Sequence, residues 1–141
     1  MTDDELIAKK LAFIETCVNE LRTLARPDRI ANDVREERFV EHTLQIAVQA
    51  ALDVASHIVS DLRMGEPANN KELFDLLARH GWLDSGLVTR LRDMAGFRNV
   101  LVHGYGDVDV AIVEGVLRHQ LGDLLAFVAT VRQRLAGSSR P

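Results

Sequence analysis

Cysteine is nearly absent from this chain, and the single one, Cys17, excludes an intrachain disulfide and a cysteine-built zinc site. Proline is scarce at 3 and glycine modest at 9, which with 47% hydrophobic residues excludes collagen-like, low-complexity and disordered chains. Lysine is scarce too: 14 arginines stand against 3 lysines, a balance suited to planar, bidentate contact with carboxylate or phosphate. No apolar run reaches membrane-spanning length, and the opening MTDDELIAKK is acidic where a secretory signal is basic. The expected location is the cytoplasm, with no membrane partner. A formal net charge of -4 argues against a broad nucleic-acid or membrane-surface binder, so any RNA contact has to be local.

What the sequence has in abundance is helical periodicity. Apolar residues recur every three or four positions and no stretch alternates as a strand does, which predicts an all-α fold. Residues 1–136 have the size of one domain, and 137–141 read as a flexible tail. A first helix is expected from a Thr2 capping box to about Ala25, with Ile7, Leu11, Ile14, Val18 and Leu21 on one stripe and Pro27 as its stop. Cys17 falls among these apolar positions and reads as a buried thiol. A second, long helix should run from Asn32 or Asp33 to Leu62, its stripe carrying Val40, Leu44, Val48, Ala51, Ala55, Ile58 and Leu62. A third covers Asn70 to His80, with Trp82 anchoring the turn after Gly81. A fourth is capped by Asp84 or Ser85 and reaches Val102, and a fifth runs from Asp109 to about Leu135. The expectation is an up-and-down bundle of three long and two shorter helices.

The segment joining the last two helices concentrates chemistry. Phe97-Arg98-Asn99-Val100-Leu101-Val102-His103-Gly104-Tyr105-Gly106-Asp107-Val108-Asp109 holds an Arg, an amide, a His and the only Tyr beside two glycines. A neutral imidazole can take the proton of an RNA 2′-hydroxyl and an imidazolium can give one to the leaving oxygen. A guanidinium can stabilise the charge that grows on the phosphate. On a straight helix, however, five positions separate Arg98 and His103 by about 140° and roughly 7.5 Å of rise. The reach of Arg98, a helix that ends at Gly104, or a second copy across a dimer axis would each resolve that. The purely structural alternative is that Arg98 pairs with an acid, His103 serves a helix C-terminus and Tyr105 fills a core edge.

The run from Arg98 to Tyr105 resembles the R-x4-H-x-Y motif of HepT-like toxins in the HEPN superfamily. The likeness extends to Phe97, Val108-Asp109, the Asp53-Val54-Ala55-Ser56-His57-Ile58 segment and the order of helices. The resemblance implies a HEPN-like bundle and a metal-independent ribonuclease that is the toxin of a type VII-like toxin–antitoxin pair, acting on tRNA or mRNA. It implies His103 as general acid/base, Arg98 as phosphate and transition-state contact, and Asn99 as a supporting polar group. It further implies a homodimer whose motifs share one cleft, no cofactor, no metal, and Tyr105 adenylylated by a minimal nucleotidyltransferase (MNT) antitoxin. A modified Tyr105 would bring bulk and negative charge beside His103, with Gly104 and Gly106 leaving the phenol exposed and its backbone adaptable. The alternative within the same superfamily is a non-catalytic subunit that positions substrate for the nucleotidyltransferase.

Other polar groupings read more plainly. Asp53, His57 and Asp61, spaced i, i+4 and i+8, suggest an ion-pair row sooner than metal ligands. His42, His80 and His119 read as surface or helix-end residues. Arg35, Glu36, Glu37, Arg38 and Glu41 are expected to pair along a solvated face, and Asp107 and Asp109 to cap a helix.

Overall fold

The structure, a computed structural model, describes residues 3–104 and 108–138. Helix α1 (Asp4–Leu24) starts at Asp3, whose carboxylate accepts the Leu6 amide at 3.0 Å; the expected cap, Thr2, lies outside the described residues. It stops where Ala25 turns extended ahead of a 3-10 turn, Pro27–Arg29. Helix α2 (Val34–Asp61) is capped by Asp33, α3 (Asn70–Arg79) by Asn69, α4 (Ser85–His103) by Asp84 and α5 (Val110–His119) by Asp109. Each cap's side chain accepts an orphan amide of the first turn. Helix α6 (Leu121–Ser138) completes the chain and runs two residues into the span expected as a tail.

The span read as one fifth helix is therefore two. Gln120 takes φ -118° and ψ -1°, its amide closing α5 on Val116 and its carbonyl receiving the Asp123 amide at 3.1 Å. The apolar stripe does not register this bend, because Leu117, Leu121 and Leu124 stay buried across it. Four long and two short α-helices result among the described residues.

Two helices end in the same way, with different residues. After α3, Gly81 takes φ +80° and the Trp82 amide reaches back to the Leu77 carbonyl at 2.9 Å. After α2, the equivalent left-handed position is filled by Arg63 (φ +53°), and the Met64 amide reaches Val59 at 2.9 Å. The turn at Arg63 leaves Leu62, expected on the core stripe, 50% exposed. Trp82 does anchor its turn: it is buried, with Arg134 of α6 4.9 Å above its ring.

Helix α2 is central and contacts α1, α3, α4, α5 and α6. Its buried middle is small, Ala47, Ala50, Ala51 and Ala55, so the neighbouring backbones can approach closely, while Phe74 and Phe127 fill the space beyond at edge-to-face geometry, 5.8 Å apart. Ion pairs tie the rim. Arg132 of α6 grips Glu15 of α1 with two hydrogen bonds of 2.9 and 2.6 Å, holding that carboxyl below its ordinary range. Arg90 holds Asp123, Arg92 holds Asp75, and Lys10 reaches Asp53. Cys17 is buried as expected, and desolvation pushes its thiol up to about 11, leaving it neutral.

Candidate active site

The site is built from the last two turns of α4. Leu87, Leu91, Met94 and Ala95 form the buried row of that helix. Arg98 continues the row, four residues past Met94 and seven past Leu91, so a cation occupies a position the periodicity assigns to the core. It is half-buried; its Nε is fully buried and has no hydrogen-bond partner. Its Nη1 donates to the Asn99 side-chain oxygen at 3.3 Å. No carboxylate pairs with it among the described residues, in contrast to Arg90, Arg92, Arg118 and Arg132. Among the described residues, the structural alternative for Arg98, pairing with an acid, does not occur. A half-buried guanidinium without a carboxylate beside it lowers stability and leaves a site for an incoming anion.

The fold brings Asn99 to Arg98, and His103 follows Asn99 by four positions on one face of the same helix. His103 is the exposed last residue of α4, and the helix is continuous through both positions. Within one chain the two backbone positions therefore keep the 140° and roughly 7.5 Å separation of about one and a half turns, because the helix ends only after His103.

Gly104 has a different role from the one its sequence context suggests. Its φ of -76° and ψ of -20° are open to any residue, so conformational freedom is not what it supplies. A Cβ there would lie 2.6 Å from the Val100 carbonyl oxygen and 2.9 Å from Val108 Cγ2. Glycine gives the room in which Val108, packed against the core, sits close to the end of α4. Tyr105, Gly106 and Asp107 lie outside the described residues. On either side of this connection Val100 and Ile112 are 52% and 55% exposed, an apolar pair flanking the polar motif.

Elsewhere, Asp53 accepts from Lys10 at 3.3 Å and from Gln49 at 2.8 Å, a tie between α1 and α2 that matches only the first member of the expected ion-pair row. His42, His80 and His119 are exposed, His80 at the end of α3. The start of α2 departs from expectation. Glu36 accepts the Arg26 backbone amide, and Glu41 is half-buried with Oε2 enclosed and unpaired. Burial, then the neighbouring Glu37, pushes its carboxyl up against the pull of Arg38. Sequence reasoning placed this group on a solvated face; only the packing of α2 reveals it.

Comparison with known proteins gives a consistent picture. A family model described as Ribonuclease HepT-like matches residues 14–131. The chain is 28% identical over 130 residues to the mRNA nuclease HepT of Shewanella oneidensis, covering 92% of this chain and 98% of that one. It is 34% identical over 82 residues to the tRNA nuclease HepT of Aphanizomenon flos-aquae, 58% of this chain and 56% of the other. Among solved structures it is similar to the tri-AMPylated Shewanella oneidensis HEPN toxin in complex with MNT antitoxin, at TM-score 0.84 and 28% identity, covering 94% of this chain and 99% of that one.

The Gly104 contacts predict that Gly104→Ala overpacks the return of the chain and lowers stability by about 1–3 kcal/mol. Urea unfolding measures this. A midpoint equal to wild type would mean that the connection moves aside freely.

Proposed function

The chain belongs to the HepT-like ribonuclease family, and on that footing we propose that it is the toxin of a toxin–antitoxin pair, a metal-independent ribonuclease acting in the cytoplasm as a homodimer. The observation that carries the reading is Arg98, a cation set on the core-facing row of α4 with no carboxylate paired to it among the described residues. In the proposed reaction His103 takes the 2′-hydroxyl proton while that oxygen attacks the adjacent phosphorus. The P–O5′ bond then breaks and the 5′-oxygen leaves with a proton from an imidazolium, giving a 2′,3′-cyclic phosphate. Arg98 balances the extra negative charge at phosphorus, and Asn99 holds its guanidinium.

The separation of Arg98 from His103 along one helix supports a composite cleft in which two copies pool their motifs. The exposed Val100 and Ile112 offer apolar surface for that contact. The substrate is RNA; the two named relatives act on mRNA and tRNA. An MNT-type antitoxin silences the site by transferring AMP to Tyr105, whose sequence neighbours His103 and Gly104 put the added phosphate beside the acid/base.

Purified, unmodified protein is expected to cleave RNA in the presence of chelator. Arg98→Ala and His103→Ala should each lower the rate by about 10²–10⁴-fold without loss of fold. Undiminished cleavage by His103→Ala would contradict the assignment, and inactivity of the wild type would favour a substrate-positioning subunit. For the switch, intact mass after incubation with the cognate nucleotidyltransferase and ATP should show adenylyl additions that Tyr105→Phe abolishes; additions persisting in that variant would place the modification elsewhere.

A further inference from the structure

At the other end of α5 from the motif, the C-terminal ends of α1 and α5 meet the Pro27–Arg29 turn and the start of α6 around an open groove of about 580 Å³. Pro27, Leu117 and Leu121 supply apolar lining, and Arg22, Arg118 and His119 stand among them; no carboxylate lines the groove. Arg118 is fixed in place, Nε on Glu114 at 2.9 Å and Nη2 on Asp28 at 2.8 Å, which ties α5 to the turn. Arg22 and His119 are exposed and make no ion pair among the described residues. An apolar bed edged by free cationic and imidazole donors suits a nucleotide, the base on the bed and the phosphate on the donors.

Its position matters as much as its lining. Helix α5 opens at Asp109, directly after the motif connection, and closes at His119 beside the groove. Ten residues span about 15 Å, roughly four stacked nucleotides at 3.4 Å each. A chain with a net charge of -4 lacks long-range attraction for RNA, so it has to hold its substrate through local contacts of this kind.

We propose that this groove is a second RNA subsite, holding a nucleotide about four positions from the scissile phosphate, with Arg22 and His119 on its phosphate and Arg118 as their fixed neighbour. The proposal rests on the ribonuclease reading above and adds where the strand runs. It makes the groove matter for long substrates and not for short ones, because a dinucleotide at the motif cannot reach it.

The test measures binding of single-stranded RNA to full-length His103→Ala protein by fluorescence anisotropy over a range of salt. Adding Arg22→Ala should weaken binding of a twelve-nucleotide strand by about tenfold and reduce the slope of log affinity against log salt by about 0.7. Dinucleotide affinity should not change. Lys9→Ala, an exposed change near the other end of the same helix, should leave both affinities as they were. Equal affinity of the Arg22→Ala and parent proteins for the twelve-mer overturns the proposal, as does an equal loss on the dinucleotide. Loss of antitoxin binding with RNA affinity intact assigns the groove to a protein partner and also overturns it. The parent reading fails separately, if wild type cleaves no RNA of any length; a failed groove leaves dinucleotide and long-strand cleavage intact.

Discussion

Everything in this fold depends on the burial of α2 among the other five helices. Its small central residues set how closely α1, α4 and α6 pack, and it contacts every one of the other five helices. Close packing there leaves α4 only one way to face inward, with Leu87, Leu91 and Met94 toward the core. The same register carries Arg98 inward at the end of the row. The catalytic candidate is thus positioned by ordinary hydrophobic packing, and its charge is the exception that the packing tolerates.

That tolerance has a physical meaning. Arginines elsewhere on the molecule reach across helices to carboxylates and tie the bundle, as Arg132 does to Glu15 and Arg118 to Asp28. Among the described residues Arg98 does none of this, and the hydrogen bond its guanidinium makes there goes to the neighbouring amide oxygen of Asn99. A half-buried cation with an unsatisfied nitrogen is a weak choice for stability and a good one for meeting a phosphate, since no internal acid has to be displaced first. The room at Gly104 belongs to the same design, because it lets Val108 pack against the core beside the end of α4.

Much of this was legible in the sequence. The stripe from Ile7 to Leu21, the row through Leu91 and Met94, and the caps at Asp84 and Asp109 follow from spacing and residue type. The break at Gln120 was not legible, since the apolar pattern continues across it unbroken. The end of α2 near Leu62 was legible, but not its geometry, in which Arg63 occupies a left-handed position that usually favours glycine. Glu41 was read as solvated because its charged neighbours suggested a surface face, whereas burial is decided by which flank of α2 the other helices cover. The need for space at Gly104 was not legible either: its dihedrals are ordinary, and only the positions of Val100 and Val108 show why a side chain does not fit.

The central claim is that one chain holds half of a working site. Mixed dimers test it most directly: Arg98→Ala and His103→Ala chains, carrying different affinity tags, are coexpressed and the doubly tagged species is isolated for RNA cleavage. A shared cleft predicts cleavage by the mixed dimer well above that of either mutant homodimer, since one intact Arg98 and one intact His103 then face the same phosphate. A mixed dimer no more active than its parents would contradict the account, because it would place Arg98 and His103 of each chain in a site of their own.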